Sequence, residues 1–151
     1  MKNPPKGYTT VTPHLSIEGC AKAIEFYVRA FGAEEVGRAP GADGRLMHAE
    51  IQIGDARVML ADVFPEYGGK PTSATLHIYT DDCDALFKRA VDAGAVAEMP
   101  PADAFWGDRY SKVRDPFGQG WGIATHQKDL TPEEMKAAME AAMAGATAPQ
   151  P

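Results

Sequence analysis

Between Val11 and Ala33 the chain reads VTPHLSIEGCAKAIEFYVRAFGA, and the spacing of its apolar positions changes partway along. Val11, Pro13, Leu15 and Ile17 alternate with Thr12, His14 and Ser16, the period of two that predicts a strand with one apolar face. A turn at Glu18 and Gly19 follows. Past Cys20, the residues Ile24, Tyr27, Val28 and Phe31 fall three or four apart, which predicts an amphipathic helix stopped by Gly32. The pattern returns from Ala74 to Ala95 as ATLHIYTDDCDALFKRAVDAGA. A shift of 63 (77 minus 14) lays His14 on His77, Leu15 on Ile78, Glu18 on Asp81, Cys20 on Cys83 and Val28 on Val91; Gly32 meets Gly94 after one deletion. Matches in the strand, the helix and the terminator together argue for a tandem duplication. Two repeats cannot form a solenoid, so the copies should close on each other, within one chain or between two.

The remaining pattern completes each copy. Glu34 to Val36 reads as a short strand before a loop rich in Gly and Pro. From Leu46 to Ile53, Met47, Ala49, Ile51 and Ile53 alternate with His48, Glu50 and Gln52, and Gly54-Asp55 turns the chain into a strand from Ala56 to Asp62. That hairpin sets Gln52 against Arg57 and Glu50 against Met59. The stretch from Val63 to Ser73 is a linker. After the second helix comes another short strand, then a loop carrying Phe105, Trp106, Asp108, Arg109 and Tyr110, then a last hairpin of Ser111 to Arg114 and Gly120 to His126. In the tail, Thr131-Pro132-Glu133-Glu134 is a capping box that opens a helix with Met135, Met139 and Met143 on one stripe, a docking face for the body or a partner subunit. Beyond Gly145 the chain should fray.

Composition narrows the function classes. With 151 residues the chain is long enough for a real core, and its net charge of -6 and pI near 5.1 argue against nucleic acid or an anionic membrane as partner. The N-terminus has no apolar run for a secretory signal and nothing approaches a membrane span, so the expected location is cytoplasmic. Cys20 and Cys83 sit at equivalent helix starts, where a thiol could be activated; packing of small residues at a strand-helix junction is the favoured explanation, and no disulfide is expected in a reducing compartment.

The duplicated unit, AIEFYVRAFGAE after the first strand, DALFKRAVDAGA after its partner and DPFGQGWGI near the end together resemble the vicinal oxygen chelate superfamily. That group includes glyoxalase I, bleomycin-resistance proteins, fosfomycin-modifying enzymes and extradiol dioxygenases. TPHLSIEGCAKAIEFY, the HAEIQIG hairpin and FWGDRY are most similar to its PhnB-like glyoxalase branch. The resemblance covers about residues 8 to 127, in halves of about 8–62 and 74–127, with 128–151 as a C-terminal helix and tail. It implies an α+β fold: two tandem βαβββ modules forming curved mixed sheets around a cavity, helices outside, commonly in a homodimer. In metal-using members one ligand comes from the first strand and one from a late strand of each half. Those places fall on Thr12, Met59, Thr75 and Gly122 here, and none offers the imidazole, carboxylate or thiolate that a divalent metal prefers. The usual metal site is therefore expected to be missing, and no cofactor is assigned.

Strand alternation sends Thr12, His14, Ser16, His48, Glu50, Gln52, Thr75, His77 and Tyr79 to the concave side, while Gly120, Gly122 and Ala124 leave room there. Three readings stay open. The first is a metal-free cavity for a small organic molecule, the acidic surface suiting a cationic one, with His14, His48, Glu50 and His77 as hydrogen-bonding groups, Trp106 and Tyr110 as a wall, Tyr79 as a further contact and Arg109 as an anion-binding candidate. The second is a glyoxalase-like lyase or isomerase moving a proton with Glu50 and His48, or a displaced metal site, dioxygenase-like or otherwise, made of His14, His77 and Glu50. The third is a structural module whose methionine-striped tail serves assembly. His126, at the exit of the last strand, reads as a solvated residue, and Arg57 as a solvated charge.

Overall fold

The computed structural model describes residues 2–146. The first module runs β1 (His14–Ile17), α1 (Cys20–Phe31), β2 (Glu34–Pro40), β3 (Leu46–Ile53) and β4 (Ala56–Asp62). The second repeats the order as β5 (Thr75–Tyr79), α2 (Cys83–Ala93), β6 (Val96–Asp103), β7 (Asp108–Arg114) and β8 (Gly120–His126), and α3 (Pro132–Ala146) follows. Each module folds into one mixed four-stranded sheet, in the orders β1-β4-β3-β2 and β5-β8-β7-β6. The parallel pairs are β1 with β4 and β5 with β8; all others are antiparallel. The duplication inferred from the pattern and the α+β class implied by the resemblance are thus the architecture. Among the described residues no helix is long and apolar enough to cross a membrane.

Each helix starts where the pattern placed it, but the two are capped by different chemistry. Gly19 precedes α1 at φ 80, a left-handed conformation that costs glycine little, and it offers no side chain to the first turn. Asp62 at the end of β4 supplies the cap instead: one carboxylate oxygen accepts the N–H groups of Gly19 (3.1 Å) and Cys20 (3.0 Å), the other accepts Leu46 N–H (2.6 Å). In the second module Asp82, the mate of Gly19, accepts Ala85 N–H at 2.9 Å, and Thr125, the mate of Asp62, accepts Cys83 N–H at 2.8 Å. The capping box of α3 forms as expected, with Thr131 N–H on the Glu134 carboxylate and Glu134 N–H on the Thr131 hydroxyl.

The two modules share one core. Trp121 of β8 is 1% exposed and packs on Phe31 and Tyr27 of α1, with ring centroids 4.7 and 5.2 Å away. Beside it lies the buried Asp115, whose carboxylate accepts Tyr27 O–H (2.7 Å), Trp121 Nε1–H (2.9 Å) and the backbone N–H groups of Phe117 and Gln119 (2.9 Å each). Four donors make a buried carboxylate tolerable where an unpaired one would cost about 3–5 kcal/mol. Arg89 on α2 reaches the last carbonyls of α1, Arg29 O (2.7 Å) and Val28 O (3.3 Å), fastening helix to helix.

Several sequence expectations are corrected. The first strand begins at His14, not Val11, which is 83% exposed. Val28 and Val91 lie outward, and α1 buries Ala23, Phe26 and Ala30 instead, since small and aromatic side chains fill the narrow space over the sheet. In β3 a register shift between Ala39 and Pro40 turns Leu46 inward and Met47 outward, breaking the alternation at one end. Strands β2 and β6 are longer than expected because irregular registers let Gly37, Pro100 and Pro101 stay in an edge strand. The loop after β6 shrinks to 104–107, and Asp108, Arg109 and Tyr110 belong to β7. Of the methionine stripe on α3, Met135 is half-buried while Met139 and Met143 face largely outward; the end expected to fray, past residue 146, lies outside the described residues.

Candidate functional site

The helix-free faces of the two sheets carry the candidate chemistry, and they differ. On the first sheet the register sets His14 beside Met59 and Met59 beside Glu50, with Gln52 beside Arg57, as the hairpin pattern required. Glu50 is engaged by three donors. His48 Nε2 lies 3.0 Å from one carboxylate oxygen, Arg57 donates to the other at 3.0 Å, and Tyr8 from the N-terminal leader adds its hydroxyl. Arg57 also donates to Gln52 Oε1 (3.1 Å), and its guanidinium lies 5.2 Å from the Tyr8 ring centroid. His14 stacks parallel to His48 at 6.5 Å. The bonds from His48 and Tyr8, more than that from Arg57, hold the Glu50 carboxyl below the ordinary carboxylate range, and the same contact raises the Tyr8 phenol. Arg57 is therefore a structural partner rather than a solvated charge. Tyr8 was invisible in the sequence, because nothing in a proline-containing leader says which sheet face it crosses.

The second sheet presents rings instead. His77 stacks on Tyr110 (5.8 Å, 9°) and leans on Tyr79 (4.7 Å); Trp106 meets Tyr110 edge-on at 5.4 Å, and Phe105 meets Trp106 at 5.1 Å. Gly120 and Gly122 of β8 form the floor under Thr75 and His77, their register partners in β5. A Cβ on Gly122 would meet His77 Nδ1 at 2.9 Å and the Tyr110 ring at 3.2 Å, so the absence of a side chain is what lets those rings lie flat on the strand. A groove of about 500 Å³ runs from Met99 past Phe105, Trp106 and Tyr110 to Ala142 of α3. A second crevice, about 440 Å³, follows β5 and is walled by Phe31, Val58, Leu76, Ile78 and Trp121, with His77 at its side.

The structure thus brings His77, Tyr79, Tyr110 and Trp106 together, and His14, His48 and Glu50 together, but on separate sheets. The second group lines neither hollow. Arg109 joins neither: its guanidinium is held by Asp84 of α2 and Asp103 of β6, donating at 2.5 and 3.2 Å, so it ties β6, β7 and α2 together rather than awaiting an anion. His126 is not merely solvated, since it bridges Asp108 and Asp129. Cys20 and Cys83 are buried, and desolvation pushes the Cys20 thiol up to about 12 and the Cys83 thiol upward, the reverse of activation.

The four positions that the resemblance implies for metal ligands do not suit a metal. They carry two hydroxyls, a thioether and no side chain at all, and Thr12 already donates its hydroxyl to Thr9 O at 3.0 Å. Nor do the described residues contain a group of three or more His, Cys, Asp or Glu side chains gathered to hold an ion, so His14, His77 and Glu50 do not assemble into a displaced site within the chain.

The profile of the Glyoxalase/Bleomycin resistance protein/Dioxygenase superfamily matches residues 11–123. An uncharacterized protein of Mycobacterium bovis is 44% identical over 138 residues, 85% of this chain and 91% of that one. TioX from Micromonospora sp. ML1, a solved structure, is 29% identical and superimposes with a TM-score of 0.63 over 77% of this chain and 98% of that one. The PhnB protein of Bacillus cereus shares the fold at 20% identity, with a TM-score of 0.61 over 78% of this chain and 99% of its own.

Proposed function

The chain belongs to the Glyoxalase/Bleomycin resistance protein/Dioxygenase superfamily, and from that premise we propose that it binds a small, flat, partly aromatic organic molecule against the ring-lined face of its second sheet. The observation that carries this reading is the glycine floor of β8 beneath the row of Tyr79, His77, Tyr110 and Trp106. Flat rings beside side-chain-free backbone offer stacking area at little conformational cost, and the groove of about 500 Å³ against Trp106 and Tyr110 lies within the range of small-molecule sites. The net charge of -6 favours a cationic ligand and disfavours nucleic acid or an anionic membrane as partner. Titration with ethidium as a planar cationic probe tests it: wild type should quench and stabilise thermally, and Gly122→Leu should lose binding. Equal binding by Gly122→Leu and Tyr110→Ala would overturn the reading.

The alternative of proton transfer through Glu50 and His48, as in a glyoxalase-like lyase or isomerase, has less support. A carboxylate already engaged by His48 and Arg57 and held below its usual range is a weak base.

We also infer a homodimer. In the first module the linker covers the outer edge of β1: Ser16 N–H donates to Thr72 Oγ1 (2.7 Å) and Thr72 N–H to Ser16 O (2.9 Å). Among the described residues no segment does this for Tyr79, the mate of Ser16, and β5 carries neither charge nor proline to guard its edge. A second copy is the occupant this supports, and sedimentation of wild type as a dimer and of Tyr79→Pro as a monomer is the expected result. Two unpaired, buried thiols suit a cytoplasmic setting.

A further inference from the structure

We propose that His126 acts as a protonated clamp, positioning Trp106 through Asp108 and tying the C-terminal arm to the ring-lined face, so that ligand binding weakens when the imidazole loses its proton. The effect on binding rests on the ligand reading above; the clamp itself does not.

The geometry leaves little choice of protonation state. His126 Nδ1 lies 2.7 Å from Asp108 Oδ1, and Nε2 lies 2.8 Å from Asp129 Oδ1. Ionised carboxylates only accept hydrogen bonds, and a neutral imidazole carries a single N–H, so both contacts hold together only in the imidazolium. Asp108 is 3% exposed, and its second oxygen accepts the indole N–H of Trp106 at 3.0 Å. The carboxylate therefore sits between a cation and the ring that walls the groove.

The arm is seated on the same loop. Gln127 and Lys128 both donate their backbone N–H to Gly107 O at 3.0 Å, and Gly107, at φ +99, is approached so closely that a Cβ there would lie 2.2 Å from Lys128 O. Past this contact the chain enters α3, whose Ala142 closes the far side of the Trp106 groove. Around the imidazole stand Asp108 from β7, Asp129 from the arm, and Asp81 and Tyr79, which line the same hollow; Lys128 is the nearest cation in sequence. The bonds to Asp108 and then to Asp129 push the His126 pKa upward. A raised histidine pKa means the clamp is fully present below the ordinary imidazole value and is lost as pH rises through the shifted one.

On deprotonation the proton goes to solvent, and one of the two carboxylate contacts must break. Asp129 is wholly exposed and gives way cheaply, freeing the arm, while Asp108 keeps at most a neutral donor.

The test is a pH titration of the full chain by NMR of histidine ring nitrogens and tryptophan indole N–H groups, first without ligand and then with ethidium. Both ring nitrogens of His126 should carry protons at pH 6, with a midpoint above that of a free imidazole. The Trp106 indole signal should move with that same midpoint while Trp121 stays still. Asp129→Asn, an exposed change, should lower the midpoint by roughly half a unit to one unit. Ethidium affinity should fall about 3- to 10-fold across the transition in wild type and show no such step in His126→Gln. A single-protonated His126 at pH 6, or a Trp106 indole indifferent to its titration, would overturn the clamp. If the indole follows His126 but ethidium never binds, the clamp stands and the ligand reading fails; a binding step that persists in His126→Gln would overturn the coupling of binding to the clamp.

Discussion

The two modules descend from one pattern, yet their open faces have parted. The first sheet has invested in charge: Glu50 is fixed by His48, Arg57 and Tyr8, so its polar groups largely satisfy one another. The second has invested in rings around a glycine floor, with faces that remain free to stack. A polar cluster that is internally complete stabilises a fold, whereas flat apolar area beside a hollow invites a ligand. Duplication preserves the frame, and the side chains on the frame decide which half can bind.

The halves depend on each other most where they meet. Trp121→Ala removes the ring that second-module β8 lends to first-module α1 and should cost about 3–5 kcal/mol in urea unfolding. A cost below about 1 kcal/mol would mean that the modules do not share a core. Next come the caps. Asp62→Ala deprives three backbone N–H groups at once and should destabilise by about 2–3 kcal/mol, against about 1 kcal/mol for Thr125→Ala or Asp82→Ala, since the second module divides the work between two residues. Equal losses at Asp62 and Thr125 would show the capping to be as symmetric as the sequence.

Smaller effects sharpen the contrast between the faces. Glu50→Gln should leave ethidium affinity within about twofold of wild type, because that carboxylate belongs to the first sheet. Its signature is instead at acid pH. A depressed carboxylate pKa contributes stability that is present above the ordinary carboxylate value and is lost as pH falls through the folded-state value, so Glu50→Gln should unfold less steeply on acidification. The smallest change is in thiol chemistry. Cys20 and Cys83, buried with raised pKa values, should resist iodoacetamide at pH 8 in the native state and react within minutes once unfolded; rapid native labelling of either would contradict the packing.

Much of this molecule was legible in its sequence. The periods of two and 3.6, the glycine stops and the offset of 63 residues identified both modules, the register of the β3–β4 hairpin and the two cysteines at the helix starts. They did so because backbone geometry converts local spacing directly into facing. Glycines in β8 likewise announced a side-chain-free floor, and family likeness plus alternation picked out His77, Tyr79, Trp106 and Tyr110, which do come together.

The partnerships came from packing. That Arg109 is consumed by Asp84 and Asp103, that Tyr8 reaches Glu50, that Asp62 caps a helix begun 42 residues earlier, and that His126 is gripped from both sides all depend on packing between elements remote in the chain. Periodicity says which way a side chain points. It cannot say what will be waiting there, because the occupant is set by how helices and strands dock in three dimensions, and a polar group's chemistry belongs to the neighbour it finds.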